Sequence, residues 1–557
     1  MTSKADDDST PARRRAFLSA VERRLPSRLR LQLIARQDLA EIRSLDGEQN
    51  ERGRLPADEH IQVHCLWMVE CYPPSRVGAL ISGLRGLGLD QTRTGMDRGG
   101  SVEWLIKSRG TGFAGAWMNL GYFTRPRTQL FGVDRVLTEL PPVVEFASGS
   151  LYALSPSLTG LVVRFVLAES VGPEIDEALN RDYRTEIWSA GSSAIAYDGP
   201  DQQRRRAVDE CVRRAREQCA SWIDTRLPGS FASSSREHPT CMFLTTQVLS
   251  PFEEGSRLDW GTYGSVLGLD RDHEAWDLRA YPGLSLHVPE RDVADHHWLI
   301  AGRRGTFFND EMQSAYGGTS GRSWSNRLQH GVDEMVAVLG VRTVLRDFHA
   351  AAAETRDAAS ATSNGSGRRR KSLASLREAV SALTEDIEPI AAELAVEHDV
   401  RSLVRDLDAV VPGPGNIYRL VNAPWPTPDN RPRSQPAAVA WVKATFHRLR
   451  SATRSVEGEK STQQPIPGLG RVIGDEIQSS ADRLLKGATR TRDALATTAT
   501  ISSALETLRL DRRLLRLTVI LGAIAVLAAL PAVAQVAGVA LRAMGIDPPD
   551  VGASPSP

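Results

Sequence analysis

The sequence predicts an α+β cytosolic head, followed by a mostly α-helical region, a helical stalk and a single C-terminal transmembrane helix. Three observations support this fold class. Apolar, β-branched segments alternate with amphipathic helical patterns between residues 55 and 315, helical patterns dominate after residue 325, and residues 517–541 form a charge-free apolar run. At 557 residues the chain exceeds what one hydrophobic core usually serves, so several folded units are expected.

Composition and charge narrow the class of protein. Lys+Arg and Asp+Glu both number 68, so the net charge gives no reason to expect a nucleic-acid partner. The five cysteines contain no CxxC pair and are thinly spread, which fits a reducing compartment. The basic residues are almost all Arg and Ala is abundant, which is typical of a GC-rich bacterial genome.

The N-terminal segment, residues 1–54, is basic and amphipathic. Apolar residues recur at three-to-four-residue spacing between residues 13 and 42, and Pro26 interrupts this helical pattern. Arginines break up every apolar stretch, so we do not expect a signal peptide. The helix is expected either to pack on its own domain with a solvated basic face or to lie on anionic lipid.

Residues 55–315 are predicted to form an α+β domain, as one unit or two subdomains. HIQVHCLWMVECY at residues 60–72 predicts a buried strand, residues 75–88 a helix, and SVEWLI at residues 101–106 the next strand, which together make a β-α-β unit. Residues 152–168 predict two extended segments around a Ser-Pro-Ser turn, the second too apolar for a surface. Further predicted elements are helices at 173–188 and 201–226 and strands at 240–249 and 284–288.

Helical patterns predominate in the C-terminal half. Residues 325–411 predict a helical region with a flexible, small-polar and basic linker at 356–371, and residues 412–436 a proline-rich spacer. Residues 437–513 predict a helical stalk, which can continue into the apolar run because no proline lies between residues 471 and 531. Its apolar stripe fits a coiled coil in an oligomer and packing against a neighbouring segment equally well.

The apolar run LTVILGAIAVLAALPAVAQVAGVAL is predicted to be a transmembrane helix. At about 1.5 Å per residue it is long enough to cross a hydrocarbon layer of about 30 Å with some tilt. Arg512, Arg513 and Arg516 precede it, and the excess positive charge on that side predicts that the bulk of the chain is cytoplasmic. The prediction is therefore a single-pass protein of the cell membrane, with residues 542–557 as a short tail outside. The residues that define the span are Leu517, Pro531, Gln535 and Leu541.

Small residues within the span allow two interpretations. Ala525 and Ala529, and again Ala534 and Gly538, repeat the small-xxx-small spacing that lets helix backbones approach, and Gln535 can hydrogen bond across such an interface. A homo-oligomer is one interpretation. Alanine-rich spans also show this spacing by chance, so an anchor without a partner is the other.

The junction at residues 511–520, DRRLLRLTVI, resembles the end of the cytosolic helix and the start of the first membrane helix of CorA-type magnesium channels. The resemblance covers about the last tenth of the chain. It implies a second membrane helix after a Gly-Met-Asn loop, whereas residues 543–547 read Ala-Met-Gly-Ile-Asp. Because of this difference, the resemblance does not predict transport activity, and a divergent cation channel is an alternative interpretation.

Ligand-type side chains are densest between residues 270 and 297, where a metal ion or an acid/base pair can be built. The segment does not fit a calcium loop, because Ala275 replaces the turn glycine and Tyr281 the bidentate glutamate. An ordinary polar loop is the competing interpretation. The metal candidates are Asp270, Asp272, His273 and Glu274, and the catalytic candidates are His273, Asp292, Asp295, His296 and His297.

The sequence thus favours a membrane-anchored cytosolic interaction or sensory/regulatory protein. The alternatives are a membrane-tethered enzyme, with or without a metal, and a divergent CorA-like cation channel. Walker A, GxSxG and kinase motifs are absent from the sequence, so the balance is against an enzyme and no cofactor is expected. The expected partners are the lipid bilayer, another protein and a second copy of the chain, without nucleic acid.

Overall fold

The computed structural model describes residues 43–90, 100–112, 114–126, 135–190, 194–248, 267, 273–278, 281, 283–289, 297–307, 321–364, 380–396, 400–401, 403–405 and 468–545. Contacts divide the chain into two compact units. The first is Met1–Ala350 with Thr384–Leu485, and the second is Ala351–Leu383 with Lys486–Pro557.

Nine of the described strands form one mixed sheet, in the order β3-β2-β4-β5-β1-β8-β11-β10-β9. The pairs β2/β3 and β8/β11 are parallel and the other neighbours are antiparallel. A separate hairpin joins β6 to β7. The strands are β1 Ile61–Tyr72, β2 Trp117–Thr124, β3 Arg135–Leu137, β4 Val144–Ser155, β5 Leu158–Leu167, β6 Glu186–Ala190, β7 Ala194–Asp198, β8 Thr240–Thr246, β9 His273–Asp277, β10 Leu284–Pro289 and β11 His297–Arg303.

Helices lie before, between and after these strands, so the predicted α+β head is confirmed. The helices are α1 Asp46–Gly53, α2 Val77–Gly86, α3 Ser101–Thr111, α4 Val171–Asn180, α5 Pro200–Arg226, α6 Ser230–Ser234, α7 Arg304–Phe307, α8 Gly321–Asn364, α9 Glu388–Leu394 and α10 Leu469–Ala543. A 3₁₀ turn at Pro74–Arg76 precedes α2, and a π-helical turn at Leu383–Ile387 precedes α9.

Both faces of the sheet are covered, which explains the continuous apolar strands. All ten residues of β5 are buried. On one face, alternate residues of β1 such as Leu66 and Met68 join one hydrophobic cluster with α2 to α5. On the other face, Trp67 of β1 meets α8, where its indole Nε1 donates a hydrogen bond to Asp333. A strand covered on both sides has no solvent face, so it shows no apolar–polar alternation.

The predicted β-α-β unit at residues 60–106 is wrong in its last element. Ser101–Thr111 is helix α3, not a strand. Its buried residues Val102 and Leu105 are three apart, as on one side of a helix, and Gly100 precedes the first turn. The next strand is β2, which pairs with β4 rather than β1.

Other predicted elements are confirmed with shifted ends. The two segments around the Ser-Pro-Ser turn are β4 and β5, and β5 lies in the interior of the sheet. The helix predicted at 201–226 is α5, and the strands predicted at 240–249 and 284–288 are β8 and β10. The helix predicted at 173–188 stops early, because α4 ends at Asn180 and β6 begins at Glu186.

In the C-terminal half, α8 continues to Asn364, which is inside the predicted linker at 356–371. Residues 365–371, the proline-rich spacer 412–436 and residues 437–467 lie outside the described residues, as does the predicted N-terminal helix at 13–42. Helix α10 begins at Leu469 and runs without a break to Ala543.

Carboxylates fix the segment around α9 to the sheet within the first unit. Asp386 accepts hydrogen bonds from the backbone N–H and the hydroxyl of Ser75, at 3.0 and 2.6 Å. Glu393 accepts hydrogen bonds from the Ser155 hydroxyl and from both the backbone N–H and the hydroxyl of Ser157. The turn after β1 and the turn between β4 and β5 are thereby held by charge-assisted hydrogen bonds from one short segment.

Substituting Gly340 of α8 by alanine should destabilise the head by about 1–3 kcal/mol, because overpacking forces neighbours apart. A Cβ at this position would lie 2.9 Å from Val69 Cγ2 and 3.1 Å from Cys71 Sγ. The measurement is chemical unfolding followed by tryptophan fluorescence. Gly78→Ala is the matched control, since a Cβ there meets nothing within 4 Å, and an equal effect of both substitutions would contradict the close approach of α8 to β1.

Candidate functional site

The predicted site between residues 270 and 297 is described only in part. Asp270, Asp272, Asp292, Asp295 and His296 lie outside the described residues. His273 and Glu274 are the first two residues of β9, and His297 is the first residue of β11. In the register, His273 pairs with Pro289 of β10, and β10 in turn pairs with β11. The backbones of the two histidine positions are thus two strands apart, about 10 Å at the usual strand spacing.

The His297 ring has a hydrogen-bond partner at each nitrogen. Nδ1 lies 2.7 Å from Thr240 Oγ1, and Nε2 lies 3.1 Å from Glu237 Oε2. Both ring nitrogens are therefore engaged by neighbouring residues rather than open to an ion or a substrate. Neither Thr240 nor Glu237 was among the predicted site residues.

A different cluster brings together Glu70, Asp224 and His238, whose ligand-type atoms lie within 4.8 Å of one another. Glu70 comes from the end of β1, Asp224 from the last turns of α5, and His238 from the segment before β8. His238 Nε2 is 3.0 Å from Glu70 Oε2 and 3.4 Å from Asp224 Oδ1. Glu70 and His238 are buried, whereas Asp224 is partly exposed.

The bonding of Glu70 argues against a metal ion in this cluster. Oε1 accepts hydrogen bonds from the backbone N–H groups of Cys71 and Phe231, at 2.8 and 2.9 Å. Oε2 accepts one from the N–H of Ala232 at 3.0 Å and faces His238. A carboxylate has about four acceptor positions, and all of them are in use. Glu70 therefore ties β1 to the start of α6 and the approach to β8, which is a structural role.

The pKa of Asp224 is raised by its position in this cluster. Burial raises the pKa of its carboxyl above the ordinary value, the charge of His238 lowers it, and Glu70 raises it further. The carboxylate on the open side of the cluster thus binds its proton more tightly than a free aspartate does.

A second buried polar cluster lies between the sheet and α8. Arg164 of β5 is 1% exposed, and its Nε donates a hydrogen bond to the Ser148 hydroxyl at 3.0 Å. Its Nη2 donates one to Asn326 Oδ1 on α8 at 2.8 Å. Asp333, also on α8, accepts hydrogen bonds from Trp67 Nε1 at 2.8 Å and from the Ser150 hydroxyl at 2.9 Å. Two formal charges and their partners thereby connect α8 to three central strands.

Burial dominates the electrostatics of this second cluster. It raises the pKa of Asp333 from its ordinary value to about 7, although Arg164 and the hydrogen bonds from Ser150, Trp67 and Gln329 lower it. Burial also lowers the pKa of the Arg164 guanidinium, which Cys65, Asp333 and Tyr122 oppose. A shift of this size places the protonation of Asp333 near neutral pH.

Two surface clefts do not select a ligand class. One, of about 620 Å³, lies beside α1 and carries as many carboxylates as guanidinium groups. Its charged lining residues are Arg43, Asp46, Glu51, Arg54, Asp182 and Arg184. The other, of about 520 Å³, is wide open and runs between the Pro141-Pro142 loop and α5, where Trp222 Nε1 donates a hydrogen bond to Glu139 O. Opposite charges cancel in the first, and little encloses a ligand in the second.

The predicted membrane residues all lie on α10, and among the described helices one is long and apolar enough to cross a membrane. This is the stretch Leu510–Ala543, 34 residues with a mean hydropathy of 2.5, none of it buried within the protein. Leu517, Pro531 and Gln535 are exposed, and Leu541 is half-buried. Arg512, Arg513 and Arg516 lie just before the predicted span and are exposed.

Sequence reasoning missed both buried clusters, although a signal for each was present. Glu70 interrupts the apolar strand IQVHCLWMVECY, and Arg164 interrupts LTGLVVRFVL. A charge inside a strand that is buried on both faces requires a partner. The partners Asp333 and His238 are distant in sequence, so the pattern reveals the requirement without naming the residue that meets it.

Two features of the described chain are thus candidates for a functional role: the exposed apolar end of α10, and buried charged clusters whose hydrogen bonds lie largely within the protein, with Arg164 Nη1 lacking a partner among the described residues. Neither arrangement is a known catalytic constellation of nucleophile, base and oxyanion donors. Comparisons of the chain with models of protein families, with curated proteins and with solved structures found no match.

Proposed function

We propose that this protein is a single-pass membrane-anchored regulatory or interaction protein, whose α+β head lies on the cytoplasmic side. The observation that carries the proposal is the composition of α10 along its length. In the first unit, Ile473, Ile477 and Leu484 of this helix are buried, whereas the stretch Leu510–Ala543 is apolar and exposed. One uninterrupted helix therefore contains both a docking segment and an anchor.

The docking segment of α10 is held by polar contacts as well as apolar ones. Arg342 Nε of α8 donates a hydrogen bond to Glu476 Oε1 at 3.0 Å, and His349 Nε2 lies 3.0 Å from Ser480 O. A Cβ at Gly474 would lie 3.3 Å from Val404, so this helix and the 400–405 segment approach closely. These contacts support a head that is fixed to the beginning of its anchor helix.

The apolar end of α10 supports a bilayer as its environment. Its side chains include Leu521, Val526 and Val536, each more than 60% exposed. A continuous apolar surface of this length is not typical of a soluble protein. As a tilted helix of about 37 Å, residues 517–541 would cross a hydrocarbon layer of about 30 Å. The three arginines on the N-terminal side support a cytoplasmic head.

The buried clusters support a regulatory rather than a catalytic head. The Glu70 carboxylate has its acceptor positions filled, and Asp333 is enclosed between α8 and the sheet. A group that must reach a substrate needs an open side, whereas groups that hold elements together can bias one arrangement of a protein over another. The protein that the head recognises would be identified by crosslinking the intact chain in cells.

We expect the full chain to sediment with membranes and to resist extraction by carbonate, and a chain ending at Thr507 to remain in the soluble fraction. The truncation removes the stretch Leu510–Ala543 and keeps every docking contact of α10. A chain ending at Gly545 is the matched control and should stay in the membrane. Sedimentation measures the anchor, and protease added to inside-out vesicles should digest the head.

Two results would overturn this proposal. A full chain that is soluble without detergent would remove the anchor. A head that is digested in right-side-out vesicles and protected in inside-out ones would reverse the orientation.

A further inference from the structure

Three arginines form a one-sided basic surface on α10, immediately before the apolar run. In an α-helix each residue turns by about 100°, so positions 512, 513 and 516 fall within an arc of about 100° and span little more than one turn. Asp511 lies on the opposite side of the helix by the same geometry. We call Arg512, Arg513 and Arg516 the arginine face.

The arginine face has no neutralising partner within the part of the chain that the structure describes. All three side chains are exposed, and none forms an ion pair with a described carboxylate. Like charges three and four residues apart on a helix repel one another. An anionic partner would relieve that repulsion and would make use of guanidinium donors that now face solvent.

The depth of the arginine face matches one layer of a membrane. Arg516 directly precedes Leu517, the first residue of the predicted span. The four residue steps from position 512 to 516 rise about 6 Å, and the headgroup layer on each side of the hydrocarbon core is about 5–8 Å thick. If the apolar run fills the hydrocarbon core, all three guanidinium groups lie at the level of lipid phosphates.

The chemistry of the arginine face selects the kind of lipid. Guanidinium groups donate paired, parallel hydrogen bonds to phosphate oxygens. A zwitterionic headgroup already neutralises its phosphate with an ammonium group, whereas an anionic headgroup keeps its charge. Three cations on one side of about one helical turn therefore favour headgroups with net negative charge.

We propose that the arginine face binds anionic phospholipid headgroups in the leaflet that faces the head. This inference rests on the membrane anchoring proposed above and adds the class of lipid. The far end of α10 carries one arginine, Arg542, followed by Ala543, Met544 and Gly545, so no comparable surface exists there within the described residues. Binding would thus be restricted to one leaflet and would fix the depth and rotation of the anchor helix.

The test uses the intact chain, purified in mild detergent with an equimolar mixture of phosphatidylglycerol and phosphatidylcholine. Native mass spectrometry counts the molecules of each lipid that remain bound. We expect the wild-type chain to retain phosphatidylglycerol preferentially. The combined change Arg512→Gln, Arg513→Gln and Arg516→Gln should reduce that preference at least about five-fold. One basic side chain near an anionic surface contributes about 1 kcal/mol, and this free energy corresponds to a factor of about five.

A matched control removes the same charge elsewhere on α10. Arg483, Arg490 and Arg492 are exposed and lie well before the apolar run, and their change to Gln should leave the lipid preference unchanged. Equal loss in both triple variants would overturn the proposal, because net charge alone would then explain the binding. No preference in the wild-type chain would also overturn it.

The two proposals fail in different ways. A chain that enters the soluble fraction contradicts the anchor itself. A chain that stays in the membrane but retains both lipids equally contradicts only the arginine face. If the triple variant does not insert, the double change Arg512→Gln and Arg513→Gln keeps Arg516 next to the span, and an undiminished preference for phosphatidylglycerol in that variant overturns the proposal.

Discussion

Replacing Glu70 by alanine is expected to lower the free energy of unfolding of the head by about 3–5 kcal/mol, the range for breaking a buried charged network. The carboxylate is fully buried and accepts hydrogen bonds from the backbone N–H groups of Cys71, Phe231 and Ala232. Alanine would leave these donors without an acceptor and would leave His238 without its carboxylate partner. An unsatisfied buried donor costs about 1–3 kcal/mol, and the contributions of neighbouring donors are not additive.

Urea unfolding of the detergent-solubilised chain, followed by tryptophan fluorescence, measures this loss. Glu237→Ala is the matched control, because this glutamate is 77% exposed and its contact with His297 is at the surface. It should change stability by less than about 0.5 kcal/mol. Glu70→Gln should fall between the two, since the amide keeps one acceptor oxygen but presents an NH₂ group to backbone donors.

A metal ion at this cluster would give a different pattern of results. In that case Glu70→Ala, His238→Ala and Asp224→Ala would each abolish the response of stability to added divalent cations. The hydrogen bonds of Glu70 predict instead that chelators leave the unfolding midpoint of the wild-type chain unchanged. A midpoint that falls on chelation would contradict the structural role of Glu70.

Local pattern was sufficient for the elements whose burial is continuous or strictly periodic. Residues 60–72 and 158–167 are mostly apolar runs of strand length, each with one acidic or arginine residue, and they form β1 and β5. Residues 200–226 repeat apolar side chains at helical spacing, and they are α5. In these segments the hydrophobic pattern and the local propensity indicate the same structure, so tertiary contacts did not need to be known.

Short amphipathic segments were ambiguous, because a six-residue window fits two periods. SVEWLI was predicted to be a strand, yet Val102 and Leu105 are buried at helical spacing and the helix continues to Thr111. The edge strands β3 and β9 are three and five residues long, too short for a clear pattern. Their pairing depends on partners that are distant in sequence.

The buried clusters were beyond local reasoning for the same reason. Arg164 and Asp333 are 169 positions apart, and Glu70 and His238 are 168 apart. A charge within an apolar strand indicates that some partner exists, but only the three-dimensional arrangement of β5 against α8 identifies it. Likewise, composition alone predicts the apolar run of α10. The burial of residues 473–484 cannot be predicted in this way, because it depends on where α8 and the 400–405 segment lie in the fold.

We expect the stability of the wild-type head to fall as pH rises from about 4 to about 7, relative to the variant Asp333→Asn. The pKa of Asp333 is raised from 3.8 to about 7 by burial, so between these values the folded chain binds a proton that the unfolded chain has released. Stability falls with pH wherever the folded state binds more protons. A shift of about three units corresponds to about 4 kcal/mol, which is fully lost above about pH 7.

Comparison with Asp333→Asn isolates this one carboxyl from the others that titrate in the same range. Asparagine keeps one acceptor oxygen for Trp67 Nε1 and presents an NH₂ group that can donate to the Ser150 hydroxyl, and it does not titrate. The free energy of unfolding of both chains is measured at pH 5, 6, 7 and 8. The difference between the two chains should change by up to about 1.4 kcal/mol per pH unit below pH 7 and should be constant above it. A difference that is constant from pH 5 to 8 would show that Asp333 is already ionised at pH 5.

The charge on Arg164 adds a second, separable contribution to the same cluster. Asp333→Ala should cost about 3–5 kcal/mol, because it removes the nearby carboxyl and leaves a buried guanidinium with less compensation. The double change Arg164→Met and Asp333→Leu replaces both groups by apolar side chains of similar length, and we expect it to be at least as stable as the wild-type chain above pH 7.

If the double variant is stable and its head still reaches the membrane but no longer binds its partner, the buried charges serve recognition or switching rather than folding. If binding is also retained, the cluster contributes to packing alone, and the regulatory part of the proposed function would have to rest on other residues.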